Sequence, residues 1–128
     1  MEAGHGDVLV VEDDKPLNEL VCIYVQMSGF SCRAALDGRT AIKEAKACPP
    51  KLVLLDLMLP DITGFEVCQE LKLDNRTSHV PVVIVTGLGD DESRRRGIAC
   101  GAAEYHVKPL SPELLTEIVK RYATAAAA

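Results

Sequence analysis

Lys51-Leu52-Val53-Leu54-Leu55-Asp56 is an apolar run that ends in a carboxylate, closed off by Pro49-Pro50 before it and Pro60 after it. It has no polar face to turn toward solvent and too little length for a helix, so it predicts a strand buried on both sides. Such a strand needs helices over both faces, which restricts the chain to a layered α/β architecture. The same pattern recurs along the chain. Asp7-Val8-Leu9-Val10-Val11 runs into Glu12-Asp13-Asp14, Pro81-Val82-Val83-Ile84-Val85 runs into Thr86, and Ala103-Glu104-Tyr105-His106-Val107 delivers Lys108-Pro109. Phe30 to Ala35 supplies one more short strand.

Helical spacing fills the intervals. Leu17, Leu20, Val21, Tyr24 and Met27 share one face of a first helix, with Asp14 as its cap, Pro16 in its first turn and Gly29 as its stop. Ala41, Ile42, Ala45 and Cys48 mark a second helix. Val67, Cys68 and Leu71 mark a third, after a loop held by Pro60 and Gly64. A fourth, about Asp91 to Cys100, is poorly amphipathic: it carries Arg94-Arg95-Arg96 and Gly97, with Ile98 as its one large apolar anchor. Ser111-Pro112 starts a fifth with Leu114, Leu115, Ile118, Val119 and Tyr122 inward. Five strands alternating with five helices on short loops predict a flavodoxin-like, doubly wound parallel sheet in the order 2-1-3-4-5. One domain spans residues 7–122, between a tail at 1–6 and an Ala-rich tail or linker stub at 123–128.

The charge balance narrows the function. With 19 acids against 14 lysines and arginines the net charge is −5, which argues against direct nucleic-acid binding or attachment to an anionic membrane surface. No apolar run approaches a membrane span, and no signal-peptide pattern opens the chain. The five cysteines are scattered and form no C-x-x-C pair, which points to reduced thiols in a cytoplasmic protein.

In a parallel sheet, Glu12, Asp13 and Asp56 come together at the carboxyl ends of two adjacent strands, with Thr86 and Lys108 on the neighbouring ends. Crowded carboxylates disfavour one another's ionisation, and a hard divalent cation such as Mg²⁺ relieves that repulsion with oxygen ligands. A carboxylate nucleophile, a metal, a hydroxyl and an ammonium are what phosphoryl transfer requires.

The chain resembles the receiver domains of two-component response regulators, in particular single-domain, chemotaxis-type receivers. The resemblance covers residues 7–122 and rests on Val10-Val11-Glu12-Asp13, Leu54-Leu55-Asp56-Leu57-Met58-Leu59-Pro60 with Gly64, Thr86-Gly87, Gly101-Ala102 with Tyr105, and Lys108-Pro109. It implies that Asp56 is the phosphoacceptor, and that Asp13, Asp56 and the Met58 carbonyl bind Mg²⁺ with Glu12 acting through water. It further implies that Thr86 and Lys108 hold the phosphoryl group, that Tyr105 is an aromatic switch, and that the Lys108–Pro109 bond is cis. Glu12 in place of the commoner Asp, and Gly87 where Ala is frequent, are small departures.

The implied function is a signalling module of a phosphorelay that catalyses its own phosphorylation and dephosphorylation. Its implied partners are a histidine kinase or phosphotransfer protein, and an output domain or protein partner on the 91–122 surface, with a homodimer as a further possibility. On phosphorylation, Thr86 is expected to move toward the phosphoryl group and Tyr105 to rotate inward. Met58 and Leu88, two positions beyond Asp56 and Thr86, are apolar and are expected to slow hydrolysis of the acyl phosphate. Two alternatives compete. An aspartate-nucleophile phosphatase calls for a second acid where Met58 stands, and a pseudo-receiver interaction module should lack one of the phosphorylation residues. Arg94-Arg95-Arg96 is either a solvated charge run or a contact for an acidic partner surface.

Overall fold

The apolar runs become strands and the periodic segments become helices. The computed structural model describes residues 7–125. Strands β1 (Val8–Val11), β2 (Cys32–Ala35), β3 (Leu52–Leu55), β4 (Val82–Thr86) and β5 (Glu104–Val107) alternate with helices α1 (Lys15–Met27), α2 (Gly38–Ala47), α3 (Gly64–Leu73), α4 (Asp91–Ala99) and α5 (Pro112–Ala125). All the pairings are parallel and the order is β2-β1-β3-β4-β5. Residues 1–6 and 126–128 lie outside the described residues. α5 runs past Tyr122 to Ala125, and Ala123 is buried in the same layer as Ile118 and Val119.

Side chains alternate across each strand, which splits the core into two layers. Leu9, Val11, Val53, Leu55, Val82 and Ile84 face α2 and α3, whereas Val8, Val10, Leu52, Leu54 and Val83 face α1 and α5. Helix starts are fixed by side-chain caps: Asp14 accepts from Leu17 N–H, Asp37 from Thr40 N–H, and Asp90 from Ser93 N–H. α3 starts on a full capping box between Thr63 and Glu66.

Two helices are seated differently from what their apolar pattern predicts. In α1, Leu20 and Met27 are 44% and 76% exposed, and the buried positions are Asn18 and Val25. Asn18 Nδ2 donates to the carbonyls of Val10, Glu12 and Ala35 at 3.1, 3.0 and 3.2 Å. Buried carbonyls at a sheet edge need such a donor, and meeting that need turns Leu20 and Met27 outward. In α4, Ile98 is 49% exposed and does not anchor the helix; Gly97 is its buried residue. A Cβ at Gly97 would lie 2.8 Å from Ile84 Cδ1 and 2.9 Å from Tyr105 Cδ2, so α4 sits too close to β4 and β5 for a side chain between them. Its hold comes from arginines instead. The Arg96 guanidinium lies 4.0 Å from the centre of the Phe65 ring, and that of Arg94 lies 4.9 Å from Tyr105.

Candidate functional site

Register brings the acids together. Val11 pairs with Leu55, so the next residues, Glu12 and Asp56, emerge side by side at the carboxyl edge, and Asp56 N–H donates to Val11 O at 3.0 Å. Open parallel sheets bind their ligands at that edge. Glu12 and Asp56 are buried, at 6% and 4% exposure, while Asp13 is exposed. One carboxylate oxygen from each of the three lies within 4.8 Å of the others.

Lys108 enters from the far side of β4. Its backbone N–H donates to Thr86 O at 2.8 Å, and the Lys108–Pro109 peptide is cis. Its ammonium donates to Asp56 Oδ2 at 3.0 Å and also to Glu12 Oε1. Burial pulls the Lys108 ammonium toward its neutral form, but the hydrogen bonds to Glu12 and Asp56 outweigh it and hold its pKa above the ordinary lysine value. Burial raises the Glu12 carboxyl above its usual range, with the Asp56 charge adding to the effect. The bonds from Lys108 and from Asp14 N–H, which donates to Glu12 Oε2 at 3.0 Å, offset this only in part. Two buried carboxylates and one ammonium thus leave an excess of negative charge at an edge built of oxygen donors, a set that fits a hard cation and, among the described residues, includes no His or Cys.

The loop after β3 is shaped around Asp56. Met58 N–H donates to Asp56 Oδ1 at 3.2 Å, and the half-exposed Met58 side chain reaches toward Gly87. Gly64 packs against the same loop. A Cβ there would lie 2.4 Å from Asp56 O and 2.6 Å from Leu57 Cα, so a side chain would displace the backbone carrying the acid. Asp61 fastens the loop to α2 by accepting from the N–H groups of Gly38 and Arg39 at 2.8 and 2.9 Å. Desolvation raises its carboxyl, but these donors together with the backbone N–H groups of Ile62 and Asp61 outweigh it and bring the carboxyl down to about 2.

Thr86 is fully buried at the end of β4, and its Oγ1 accepts from Leu88 N–H at 3.4 Å. Tyr105 lies inward, 6% exposed, with its hydroxyl donating to Leu88 O at 2.6 Å. The inward position expected only after phosphorylation is therefore already taken in this structure, because Leu88 O and the gap beside Gly97 receive the ring. Beside the acids, an open apolar cleft of about 310 Å³ between α1 and α5 is lined by Leu17, Val21, Leu54, Pro109 and Leu115 among others, with Glu12, Asp56 and Lys108 at one end.

The structure thus gathers Glu12, Asp13, Asp56, Met58, Thr86 and Lys108 on one edge and ties Tyr105 to it through Leu88. Sequence reasoning missed Asn18 and Asp61. Asn18 keeps helical phase with Cys22 and Val25, which was the available signal; Asp61 sits in a proline-led loop whose partner, the start of α2, is remote in sequence.

The family model described as response regulator receiver domain matches residues 8–120. The phosphate regulon transcriptional regulatory protein PhoB of Escherichia coli is 39% identical over 113 residues, 88% of this chain and 49% of that protein. The DNA-binding dual master transcriptional regulator RpaA of Synechocystis is 39% identical over 106 residues, 83% of this chain and 44% of that protein. The chain therefore spans about half the length of these curated relatives. Among solved structures, the chemotaxis protein CheY4 of Vibrio cholerae superposes with a TM-score of 0.84 at 29% identity, covering 90% of this chain and 96% of that one.

Proposed function

The chain belongs to the response regulator receiver domain family, the phosphoaccepting modules of two-component systems, and on that premise we propose that Asp56 is the phosphoacceptor. The observation that carries this reading is the Lys108 ammonium held against both Asp56 and Glu12 at the carboxyl edge. An Asp56 carboxylate oxygen attacks the phosphorus of a phosphohistidine on a histidine kinase or phosphotransfer protein; the P–N bond breaks and its electron pair leaves with the imidazole. The apolar cleft between α1 and α5, opening beside Asp56, is where that donor would dock.

Lys108 and the Thr86 hydroxyl donate to phosphoryl oxygens. Asp13, Asp56 and the Met58 carbonyl would hold Mg²⁺, and Glu12 would act on it through water. Bound Mg²⁺ supplies positive charge for the crowded carboxylates and the incoming phosphoryl oxygens. The same groups serve self-catalysed dephosphorylation, in which water attacks phosphorus, the P–O bond to Asp56 breaks, its electron pair returns to the Asp56 carboxylate, and inorganic phosphate leaves with the protons of the water.

The Thr86–Leu88–Tyr105 chain of hydrogen bonds supports a switching role. When the Thr86 hydroxyl turns to a phosphoryl oxygen, Leu88 N–H loses its acceptor, and the loop that holds Tyr105 is released to rearrange. Output then passes through α4, β5 and α5, residues 91–122, to an output domain, a protein partner or a second copy. The DNA binding in the name of RpaA belongs to that protein; a net charge of −5 disfavours direct DNA contact by this domain.

The test is incubation with acetyl phosphate and Mg²⁺, read by intact mass and site mapping. One phosphoryl group should appear on Asp56, vanish in Asp56→Asn and vanish when the metal is chelated. Wild-type labelling of Asp56→Asn would overturn the assignment.

A further inference from the structure

α1 buries two residues, Asn18 and Val25, and only one of them is apolar. The Asn18 amide has one workable orientation. Its Nδ2 faces the carbonyl oxygens of Val10, Glu12 and Ala35 at 3.1, 3.0 and 3.2 Å, which only the donor end of an amide can satisfy. Its Oδ1 accepts from Cys22 Sγ at 3.5 Å. The three carbonyls lie at the carboxyl ends of β1 and β2, where Ala35 O also accepts from Glu12 N–H at 3.1 Å. Asn18 thus ties α1 to the place where β1 gives way to Glu12 and Asp13.

The three acids of the edge are braced unequally. The Asp56 carboxylate accepts from Lys108 Nζ at 3.0 Å and from Met58 N–H at 3.2 Å. The Glu12 carboxylate accepts from Lys108 Nζ and, at 3.0 Å, from Asp14 N–H. Asp13 is exposed, and among the described residues its carboxylate takes part in no hydrogen bond or ion pair. Even so, one of its oxygens stands within 4.8 Å of an oxygen from each of the other two. A short side chain with few staggered rotamers reaches where its backbone points it, so the place of Asp13 is set by the main chain around it. Asn18 holds that main chain on both sides. Its Nδ2 bonds the Glu12 carbonyl, and its backbone N–H donates to Asp14 O at 2.8 Å.

We propose that Asn18 is the positioning residue for Asp13: its side-chain amide fixes the main chain of residues 12–14 so that the Asp13 carboxylate is preorganised beside Asp56 for a divalent cation. The proposal rests on the reading of Asp13 and Asp56 as Mg²⁺ ligands. Asn18 acts through the backbone and takes no part in the transfer itself. Without its amide, the turn has to be ordered at the moment the cation binds, and that cost is subtracted from the affinity. Losing a group that orients a metal ligand weakens binding by about 10- to 100-fold. The effect falls on cation affinity and leaves the transfer at saturating cation close to its original rate.

The experiment compares wild type with Asn18→Ala, with Asn18→Leu, which fills the same space without donors, and with Val25→Ala. The last is a control on the same helix that removes buried apolar volume and no donor. Backbone amide NMR through a magnesium chloride titration reads affinity, urea unfolding reads stability, and labelling of Asp56 by acetyl phosphate across Mg²⁺ concentrations reads transfer. Both Asn18 variants should bind Mg²⁺ about tenfold more weakly. They should need correspondingly more Mg²⁺ for half-maximal labelling, with a near-wild-type rate at saturation. Val25→Ala should lose urea stability and keep wild-type affinity. In the metal-free protein, Asp14 N–H, which donates to Glu12 Oε2, should exchange faster in Asn18→Ala than in Val25→Ala. In the wild type, the Asn18 side-chain NH₂ signals should move through the titration with the same midpoint as Asp13 N–H, a result that needs no variant to fold. Unchanged Mg²⁺ affinity in the Asn18 variants, equal weakening in Val25→Ala, or Asn18 NH₂ signals that stay still would each overturn the proposal. No Mg²⁺ binding by the wild type would overturn the metal-site reading itself, and the proposal with it.

Discussion

α3 and α4 are neighbours on one face of the sheet and are held to it by different means. α3 buries Phe65, Val67, Cys68 and Leu71 and starts on a reciprocal cap, whereas α4 buries only Gly97 and leaves its largest apolar side chain, Ile98, half in solvent. Apolar burial scales with area, so α3 is bound tightly. α4 relies on a close backbone approach and on arginines laid over Phe65 and Tyr105. The rigid helix follows the loop that carries Asp56, and the loosely seated one follows the loop that carries Leu88. Segments with few buried apolar contacts open at low cost and are the ones that move in switching.

Truncating the largest fully buried side chain of α3 gives the largest expected effect. Leu71→Ala should cost about 2–5 kcal/mol in urea unfolding, whereas Ile98→Ala should stay within about 0.5 kcal/mol, as surface substitutions do. An Ile98→Ala loss comparable to that of Leu71→Ala would erase the contrast. Gly97→Ala comes next. Ala favours helix over Gly by about 1 kcal/mol, but the added methyl meets Ile84 and Tyr105 inside contact distance. Overpacking costs roughly 1–3 kcal/mol, so a net loss is expected, with a shifted Tyr105 ring signal in NMR. A net gain in stability would mean that the approach at Gly97 is not tight.

The legible part of the molecule is the part written in local pattern. β1, β3 and β4 are apolar runs, and Glu12, Asp56, Thr86 and Lys108 each stand at the carboxyl end of a strand, so strand order alone places them. The illegible part depends on partners remote in sequence. The seating of α1 is set by three carbonyls that Asn18 satisfies, one of them on β2, and an apolar count gives a polar residue no weight there. Ile98 looks like an anchor because its neighbours are arginines, yet two of those arginines find rings on α3 and β5. The inward Tyr105 depends on a single acceptor, Leu88 O, and no residue pattern encodes that choice.

The arginines give a smaller test. Arg96→Ala removes the stacking on Phe65, the side-chain bridge from α4 to α3, and should cost about 0.5–1 kcal/mol. Arg95→Ala, on the same exposed helix, should be near neutral in the same urea titration. Equal losses would return the arginines to the status of a solvated run.

The smallest effect separates the two helices by their caps. α3 is capped by the Thr63 hydroxyl, which accepts from Glu66 N–H at 3.2 Å and has no proton to gain in acid. The Glu66 carboxylate of the same box accepts from Thr63 N–H, so its protonation loosens that outer bond and not the one at Glu66 N–H. α4 is capped by the Asp90 carboxylate, which accepts from Ser93 N–H at 3.0 Å. Bonds from the Ser93 backbone and side chain hold Asp90 below its usual carboxylate range. A depressed acid contributes stability that is fully present above its ordinary value, near 4, and is lost as the pH falls through the depressed one. Acid should therefore loosen the first turn of α4 before that of α3. Amide exchange, corrected for its intrinsic pH dependence, should show protection falling at Ser93 and Arg94 while Glu66 and Val67 hold. Asp90→Asn keeps a capping oxygen but cannot titrate, and should flatten the response at α4. If both first turns lose protection in step, in the wild type and in Asp90→Asn alike, the two helices are not independently seated and the contrast between them fails.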